Sequence, residues 1–363
     1  MAQLVSLLGP RQVVLEEVPD APLARGQVRV RTLYSGISAG TELTAYRGTN
    51  PYLHKRWDQQ MRLFQGGGLA SESYPLRSWG YEEVGKVVEL GPGVEPGRES
   101  LAPELGAVVY GTWGHRSTAV LDGQYAFGRL LPQGLEPILG IFSHIGSIAL
   151  NGIHDANPRV GETVAVFGLG VLGQIVAQLA KAAGARVIGV DLDGSRLRLA
   201  REGGAVDAAL DATEGGVAVR VKELTGGRGA DVTIEVSGSA AALHDAIRAT
   251  AYSARTVAMG FYQGGAEELF LGEEFHHNRI ELRCSQISGV APELSGRWDR
   301  LRLASTVMRL QLERVLRLEQ LISRVVPAES AAEAYRQLDE QPGKALQVVL
   351  DFTAGSEDRR DTT

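Results

Sequence analysis

The sequence contains very little cysteine and no long apolar run. Cys284 is the single cysteine among 363 residues, so the chain cannot form an internal disulfide bond or a cysteine-rich structural zinc site. No apolar run reaches the roughly 18 residues that a membrane-spanning helix needs. The first residues, MAQLVSLLGPRQ, lack the basic start and long apolar stretch of a secretion signal. We therefore expect a soluble, cytoplasmic protein with no membrane partner.

The chain also lacks a strong excess of either charge. It has 37 basic and 43 acidic residues, for a formal net charge of -6 at pH 7. A nucleic-acid-binding surface usually carries a basic stripe, so nucleic acid is not expected as a partner. The hydrophobic content of 44% and the charged content of 22% are typical of globular proteins. The length predicts about two domains.

Glycine, by contrast, is abundant, and its 45 copies are spread along the chain. Residues 1 to 150 consist of short segments rich in β-branched residues and broken by Gly and Pro, which predicts a mostly antiparallel β domain. From about residue 158, apolar strand patterns alternate with helical ones, which predicts a parallel sheet covered by helices on both faces. Residues 297–322 are predicted to be largely helical. A last strand pattern at 345–352 suggests that the C-terminus rejoins the first domain.

The sharpest motif is FGLGVLG, which has the G-x-G-x-x-G form at Gly168, Gly170 and Gly173. It follows a predicted strand and opens a predicted helix, as a dinucleotide-binding turn requires. The first glycine permits the tight turn, the second allows a pyrophosphate to approach the backbone, and the third allows close helix packing. The positive end of the helix, at Val171 and Leu172, would face the phosphates.

Asp191 ends the next predicted strand. Its carboxylate can accept hydrogen bonds from both ribose hydroxyls and would repel a 2′-phosphate, so NAD is the expected cofactor. Arg196 weakens this preference, because a nearby arginine could hold a phosphate. Further cofactor contacts are predicted at Ser237, Gly260, Ser285 and Ile287.

With these motifs the chain resembles the medium-chain dehydrogenase/reductase superfamily, in its alcohol, sorbitol and threonine dehydrogenase branch. The resemblance covers about residues 3 to 352 and rests on the order of YSGISAGTEL, GYEEVGKVVELGPGV, GETVAVFGLGVLG, VIGVDLDGSR and GKALQVVL. It implies an α/β protein with two domains and an active site in the cleft between them. The implied domains are a GroES-like, mostly antiparallel β catalytic domain (1–152 and 289–363) and a Rossmann doubly wound parallel-sheet domain (153–288). The resemblance also implies a homodimer or homotetramer.

The chain departs from this family at the zinc ligands. Zinc-dependent members carry a Cys before Gly-Thr-Asp, then a Gly-His-Glu, then a Cys, Asp or Glu after the first domain. Here the first position falls on Ser38 or Ala39. Tyr81 replaces the histidine before Glu82, and His144 aligns with the third position. Because Ser and Tyr are poor zinc ligands, we expect no catalytic zinc, although His144 and Glu82 leave metal binding open.

Without zinc, a hydrogen-bond donor or general acid must polarise the substrate carbonyl. Tyr81 and His144 are the candidates, and the sequence does not decide between them. Glu82 could orient or charge one of them, and Ser38 or Thr41 could relay protons.

A long segment, residues 45–79, is predicted to cap the substrate pocket, with Trp57 or Tyr52 contacting the substrate. A surface excursion or a subunit contact is the equal alternative. Trp113 is a candidate for a second wall of the pocket. The histidine pair at 276–277 is predicted to lie on a strand, with one residue buried and one exposed, and therefore not to share a metal ion.

These residues predict a zinc-independent, NAD(H)-dependent oxidoreductase that transfers hydride between the nicotinamide and a secondary alcohol or ketone. The polar candidates Ser38, Thr41, Glu82 and His144 favour a polyol or sugar-like substrate. Two alternatives stay open. One is reduction of a carbon–carbon double bond conjugated to a carbonyl, for which zinc-free relatives usually take NADPH. The other is NAD binding without catalysis.

Overall fold

The computed structural model describes residues 1–66, 68, 70–77, 79–97 and 101–353. The chain divides into two compact units, of which the first comprises residues 1–144 and those from 319 onward and the second comprises 145–318. The bounds predicted for the family's two domains differ from these units, because they place 145–152 and 289–318 with the first domain. Those bounds stay a prediction.

Strands occur throughout both units. They are β1 (Ala2–Gly9), β2 (Gln12–Val18), β3 (Gln27–Ile37), β4 (Arg56–Asp58), β5 (Leu63–Gln65), β6 (Glu83–Leu90), β7 (Val108–Gly111), β8 (Thr118–Asp122), β9 (Thr163–Phe167), β10 (Arg186–Asp191), β11 (Ala208–Asp211), β12 (Ala230–Glu235), β13 (Thr250–Ala258), β14 (Glu281–Cys284), β15 (Ile322–Pro327) and β16 (Gln347–Asp351).

Most of the longer helices lie in the second unit. The α-helices are α1 (Glu42–Arg47), α2 (Gly123–Phe127), α3 (Phe142–Ala156), α4 (Val171–Ala182), α5 (Gly194–Glu202), α6 (Val217–Leu224), α7 (Ala240–Ala249), α8 (Arg300–Leu312) and α9 (Ala331–Glu340). Short 3-10 turns occur at Pro51–Leu53, Pro137–Ile141, Ala212–Glu214, Pro292–Leu294, Glu319–Leu321 and Ala328–Ser330, and a π-helical turn occurs at Leu271–Phe275. Among the described residues, none of these helices has both the length and the apolar character needed to cross a membrane.

The second unit is built on one parallel sheet. Its strand order is β11-β10-β9-β12-β13-β14, and every neighbouring pair is parallel. Successive residues such as Val164, Ala165 and Val166 are fully buried, so both faces of β9 are covered. This order is that of a doubly wound Rossmann sheet, which confirms the predicted fold. The strand order reverses between β9 and β12, and a ligand crevice is expected at the carboxyl ends of these two strands.

The first unit is built on a mixed, mostly antiparallel sheet. Its strand order is β15-β16-β3-β6-β7, and β8 also pairs with β3. The C-terminal strand β16 runs antiparallel to β3, with Val349 opposite Gly36, which confirms that the end of the chain rejoins the first domain. A buried apolar cluster that includes Leu7, Tyr335 and Leu350 packs against this sheet. The predicted GroES-like β fold is thereby confirmed.

Two sequence predictions of local structure are wrong. Residues 297–322 are not largely helical, because α8 ends at Leu312 and the chain continues through a 3-10 turn into β15. Arg314 has a left-handed φ of 60°, and the Val315 N–H donates to the Leu310 carbonyl at 2.9 Å, so the helix closes without a glycine. The pair at 276–277 is also not on a strand. Both histidines are exposed and follow the π-helical turn, and β14 begins only at residue 281.

Candidate active site

The glycine-rich turn joins β9 to α4. Gly168 has a φ of +94°, which glycine adopts without steric cost. A Cβ atom on Gly173 would overlap the carbonyl oxygen of Gly168, so only glycine fits there. A Cβ atom on Gly170 would meet nothing closer than the Arg196 Nη1 atom, at 4.0 Å. The turn therefore leaves space beside its backbone at the one glycine where a pyrophosphate needs it.

The N-terminus of α4 offers backbone donors at this turn. Gly170 is the N-cap residue and provides no side-chain capping hydrogen bond. The first amides of the helix, at Val171 and Leu172, precede the first intrahelical bond, which the Gln174 N–H makes to the Gly170 carbonyl at 2.9 Å. Unbonded N–H groups and the helix dipole both favour an anion at this position.

Asp191 ends β10, next to β9 in the sheet, and is buried. Its Oδ2 atom accepts a hydrogen bond from the Leu169 N–H at 2.5 Å, and its Oδ1 atom accepts one from the Asp193 N–H at 2.8 Å. Each carboxylate oxygen has a second lone pair that could accept from a ribose hydroxyl. The Arg196 Nη1 atom lies 4.0 Å from Oδ2. The structure thus brings the predicted ribose and phosphate residues to the same turn.

The loops after β12 and β13 meet at Ser237 and Gly260. Glu235, the last residue of β12, accepts from the Ser237 N–H at 2.7 Å and from the Tyr262 hydroxyl. A Cβ atom on Gly260 would overlap the backbone of Gly238. Glu235 therefore fixes both loops at the carboxyl edge of the sheet. Sequence reasoning missed this residue, although an acidic side chain inside the apolar strand DVTIEV was a usable signal.

Ser285 and Ile287 follow the outer strand β14. The buried Ser285 donates its N–H to the Ala258 carbonyl at 3.0 Å, and its Oγ atom lies 3.4 Å from the Asn151 Nδ2 atom. The Ile287 carbonyl accepts from the Arg300 Nε atom at 3.0 Å. The structure places these two residues on one loop, and their contact with a cofactor stays a prediction.

Four of the predicted catalytic residues come together in the first unit, and we call Ser38, Thr41, Tyr81 and His144 the hydroxyl cluster. The Ser38 and Tyr81 hydroxyls form a short hydrogen bond. The rings of Tyr81 and His144 are in edge-to-face contact, with centroids 4.9 Å apart. The Thr41 side chain also hydrogen-bonds to Tyr81. Of the two residues predicted for the first ligand position, Ser38 is the one whose side chain belongs to this cluster.

The surroundings of Tyr81 keep its phenol neutral. Burial raises the pKa of Tyr81 above its ordinary value, and the carboxyl groups of Glu82 and Glu42 raise it further. Hydrogen bonds from Ser38 and Thr41 oppose this rise but do not cancel it. A neutral phenol can both donate and accept a hydrogen bond, as a group that exchanges a proton with a substrate oxygen must do.

Glu82 is buried beside the cluster. Burial raises its pKa well above the usual range, and the nearby Glu42 and Glu83 carboxyls add to the rise. A hydrogen bond from Gln347 acts in the opposite direction. The Glu82 Oε2 atom has no hydrogen-bond partner among the described residues. These surroundings favour the neutral acid over the carboxylate that a metal would require.

A buried network lies next to the hydroxyl cluster, and sequence reasoning missed most of it. The His115 Nδ1 atom lies 2.6 Å from the Ser35 hydroxyl, and its Nε2 atom lies 2.9 Å from a Glu42 carboxylate oxygen. The Tyr335 hydroxyl donates to the same oxygen of Glu42. Ser35 also donates to Glu83 at 3.2 Å. We call these five residues the buried network.

Glu42 connects the buried network to the hydroxyl cluster. Its Oε1 atom accepts a hydrogen bond from the Ser38 N–H at 3.0 Å. Burial lowers the pKa of His115, but the Glu42 and Glu83 carboxyls outweigh this and raise it. Burial also raises the pKa of Glu83 to about 7. The hydrogen bond from the Ser38 N–H to Glu42 joins the network to the cluster. It holds the backbone of Ser38 in place, and with it the hydroxyl group that contacts Tyr81.

The donor set of the hydroxyl cluster does not fit a catalytic zinc ion. Zinc prefers thiolate, imidazole or ionised carboxylate ligands. Ser38 and Tyr81 offer neutral hydroxyls that bind each other, and the surroundings of Glu82 favour its neutral acid. His144 is the one strong donor of the set. Within the described part of the chain, three His, Cys, Asp or Glu ligand atoms do not come within 4.8 Å of one another at this position.

The predicted cap residues form a small aromatic group on a hairpin. Trp57 lies on β4, and its ring centroid is 4.9 Å from that of Phe64 on β5. Tyr52 contacts the same Phe64 ring at 5.3 Å. Residues 67, 69 and 78 of the predicted cap lie outside the described residues. Contact of Trp57 or Tyr52 with a substrate stays a prediction.

Trp113 lies in the core of the first unit. Its indole Nε1 atom donates to the Thr32 Oγ1 atom at 3.0 Å. Its ring is buried in an apolar group with Val30, Val87 and Val109. Its backbone N–H donates to Glu83 of the buried network at 2.6 Å, and contact of Trp113 with a substrate stays a prediction.

Comparisons with known proteins identify the family of this chain. A family profile described as "Zinc-binding dehydrogenase" matches residues 171–301. The D-guloside 3-dehydrogenase of Shigella flexneri is 32% identical over 355 residues, which cover 97% of this chain and 100% of that protein. The crystal structure of 2R,3R-butanediol dehydrogenase from Bacillus subtilis has a TM-score of 0.76 and 21% identity, covering 97% and 99% of the two chains.

A second solved structure is an alcohol dehydrogenase of Escherichia coli CFT073 complexed with NADH. It has a TM-score of 0.75 and 20% identity, covering 96% of this chain and 99% of that chain. The two structures show the shared fold, and the full-length relative at 32% identity shows the family. This chain belongs to the medium-chain dehydrogenase/reductase superfamily of nicotinamide-dependent oxidoreductases, in its alcohol, sorbitol and threonine dehydrogenase branch.

Proposed function

We propose that this protein is an NAD(H)-dependent dehydrogenase that acts on a secondary hydroxyl group of a polyol or sugar-like substrate without catalytic zinc. The observation that carries the proposal is the hydroxyl cluster. Ser38 and Tyr81 occupy two positions where zinc-dependent members have ligands, and their hydroxyls bind each other. In this proposal the Ser38–Tyr81 pair takes the place of the metal ion, and it exchanges a proton with the reacting oxygen of the substrate.

The residues of the cluster supply the proton chemistry of the reaction. A nicotinamide cofactor held at the glycine-rich turn and Asp191 would supply the hydride chemistry, as the acceptor in oxidation and the donor in reduction. In oxidation, the substrate hydroxyl gives its proton to the Tyr81 oxygen as the carbon–oxygen double bond forms, Tyr81 passes its own proton to Ser38, and the Ser38 hydroxyl releases its proton to solvent. Thr41, which is only half-buried and also hydrogen-bonds to Tyr81, offers a second route for the Tyr81 proton toward solvent. In reduction the same protons move in reverse.

His144 is the second candidate for this proton step. Its imidazole is half-buried and contacts the Tyr81 ring. An imidazole titrates near neutral pH and can serve as acid or base. In our proposal Tyr81 exchanges the proton with the substrate and His144 orients the phenol ring.

The choice of NAD rests on Asp191. Its buried carboxylate would bind ribose hydroxyls and repel a 2′-phosphate, whereas Arg196, 4.0 Å away, acts in the opposite direction. We propose that the carboxylate dominates, because the Leu169 and Asp193 N–H groups hold it in place.

The choice of a sugar-like substrate has two supports. The hydroxyl cluster is polar and suits a substrate with several hydroxyl groups. The full-length relative from Shigella flexneri is named for oxidation at position 3 of a guloside. We therefore propose a cyclic polyol or a glycoside as the substrate class, with oxidation of one ring hydroxyl.

The test is the variant Tyr81→Phe, assayed for NADH formation with a panel of polyols and glycosides. We expect kcat to fall by about 10²-fold or more, because general acid–base catalysis contributes about that much. The Kd for NADH, from fluorescence titration, should stay unchanged. Tyr34→Phe, on β3 outside the hydroxyl cluster, is the matched control and should keep full activity. NAD should be preferred to NADP.

Three results would contradict the proposal. Full activity of both Tyr81→Phe and His144→Ala would remove the hydroxyl cluster from the mechanism. Turnover of enones with NADPH, and of no alcohol in the panel, would favour double-bond reduction. Tight NADH binding with no turnover of any panel member would favour a protein that binds the cofactor without catalysis.

A further inference from the structure

We infer that the second unit carries a metal site formed by His244, Glu273 and Glu274. The site binds a divalent transition-metal cation such as zinc. His244 lies on α7, and the two glutamates lie on the π-helical turn Leu271–Phe275. The site shares no residue with the hydroxyl cluster or the glycine-rich turn. It therefore extends beyond the proposed function and does not depend on it.

The three side chains converge on one point. Each of His244, Glu273 and Glu274 offers one ligand atom, and these atoms all lie within 4.8 Å of one another. Among the described residues, these three are the group of His, Cys, Asp and Glu side chains whose ligand atoms come within this distance of one another. An imidazole nitrogen and two carboxylate oxygens are ligands that zinc accepts, with a fourth position left for water.

Two atoms of this group are shielded from solvent and lack partners. Neither the His244 Nδ1 atom nor the Glu274 Oε2 atom has a hydrogen-bond partner among the described residues. A buried polar atom without a partner is costly, and a native fold usually gives it one. A bound cation would satisfy the imidazole and the carboxylate together.

The elements that carry the ligands are fixed by apolar packing. Leu243 and Ile247 of α7 form a buried cluster with Ile280, and Phe275 from the π-helical turn packs against it. The His244 ring is in edge-to-face contact with Phe270, with centroids 5.4 Å apart. The ligand side chains therefore project from backbone whose position is already set, which reduces the entropy lost when a cation binds.

The local charge also favours a cation. Arg248 pairs with Glu274 through the Oε1 atom at 3.2 Å and with Asp245 at 3.2 Å. The other carboxylate oxygen of Glu274, Oε2, takes no part in this ion pair. The carboxylates of Glu274 and Glu273 together would favour a divalent cation between them and His244.

The site has a structural role in this account. A cation bound by both α7 and the π-helical turn would add a third kind of link to two elements that already meet through apolar contacts and the Arg248–Glu274 ion pair. The unfolded chain does not hold the ligands together, so binding stabilises the folded state. The expected consequence is a rise in the unfolding temperature, with no requirement for the ion in hydride transfer.

The test uses the full-length protein, freed of metal by a chelator and titrated with ZnCl₂ by calorimetry. We expect the wild type to bind zinc and its Tm to rise by about 5 °C or more when zinc exceeds Kd by about a hundredfold. His244→Ala and Glu273→Gln should each weaken binding by about tenfold or more and remove the rise in Tm. Glu273 is exposed, so its variant should fold normally.

The matched control is the double variant His276→Ala/His277→Ala, which removes the exposed imidazoles of the same segment. It should bind zinc as the wild type does. Zinc binding that survives in His244→Ala and Glu273→Gln, or that is lost in the control, would overturn the proposed site. A wild type that binds no zinc would overturn it as well. The variants His144→Ala and Glu82→Gln should leave this binding unchanged.

Discussion

Glu82 and Glu83 are adjacent buried carboxyl groups in surroundings that raise the pKa of both. The Trp113 N–H donates to Glu83 at 2.6 Å, and the Ser35 hydroxyl donates to it at 3.2 Å. These bonds favour the carboxylate, but burial outweighs them. At the residue scale, the cost of burying charge therefore controls the protonation of the groups around Tyr81.

This cost predicts a pH-dependent stability. The pKa of Glu83 is about 7 in the folded protein and near 4.5 when unfolded. As pH rises, the unfolded chain loses the proton first, so the stability that Glu83 contributes is present below about pH 4.5 and is lost by about pH 7. The loss is about 3 kcal/mol. We predict that the unfolding free energy of the wild type minus that of Glu83→Gln falls by this amount between about pH 4 and pH 8.

Urea unfolding at a series of pH values measures this difference. Glu89→Gln, at an exposed position on the same strand, is the control and should show no such trend. A difference between wild type and Glu83→Gln that stays constant, or that grows with pH, would show that Glu83 is ionised in the folded protein throughout this range.

Single residues also show where sequence reasoning reaches its limit. Ser38, Tyr81 and His144 could be predicted as one site because each stands at a fixed offset within a family motif. Tyr335 could not, because it joins Glu42 from 293 positions away and no local motif marks it. Tyr335 reaches Glu42 only because α9 packs in the folded first unit. A long-range contact of this kind leaves no periodic or local pattern in a single sequence.

At the scale of elements, the turn between β9 and α4 gives two glycines different tasks. Gly173 lies where a side chain would strike the Gly168 carbonyl, whereas Gly170 borders open space. Gly173 is thus required for the helix to pack on its strand, and we propose that the open space beside Gly170 serves the approach of a ligand. The two requirements can be separated by experiment.

We predict opposite outcomes for alanine at these two positions. Gly173→Ala should lower stability by about 1–3 kcal/mol, because the new methyl group overpacks the turn. Gly170→Ala should leave Tm nearly unchanged but weaken NADH binding by about tenfold or more, because the methyl group occupies the space for the pyrophosphate. Thermal unfolding and fluorescence titration measure the two effects. Equal NADH affinity of Gly170→Ala and the wild type would remove the pyrophosphate from this turn.

Elements with a strong periodic pattern could be predicted from the sequence. The strands and helices between residues 163 and 258 follow the predicted alternation, since their apolar positions match the needs of a sheet covered on both faces. The end of α8 could not be predicted, because Arg314 closes the helix in a conformation that glycine usually provides. The strand β15 was missed because it begins at Ile322, where the stretch predicted as helix ends, and no strand was predicted there.

At the scale of the whole molecule, the chemistry is divided between the two units. The hydroxyl cluster belongs to the first unit, and the glycine-rich turn and the proposed metal site belong to the second. A homodimer or homotetramer stays a prediction from the family resemblance. The central claim for the molecule as a whole is that hydride transfer proceeds without a catalytic metal ion.

The most direct measurement of this claim is turnover as a function of zinc content. Wild type and His244→Ala are each dialysed against a chelator, analysed for metal, and assayed with NAD and the best substrate of the polyol and glycoside panel. We predict that kcat of the metal-depleted proteins stays within about twofold of the untreated ones, because Tyr81 and Ser38 carry the proton step. A kcat that falls in proportion to the zinc removed, and that returns on addition of zinc in both proteins, would contradict the account.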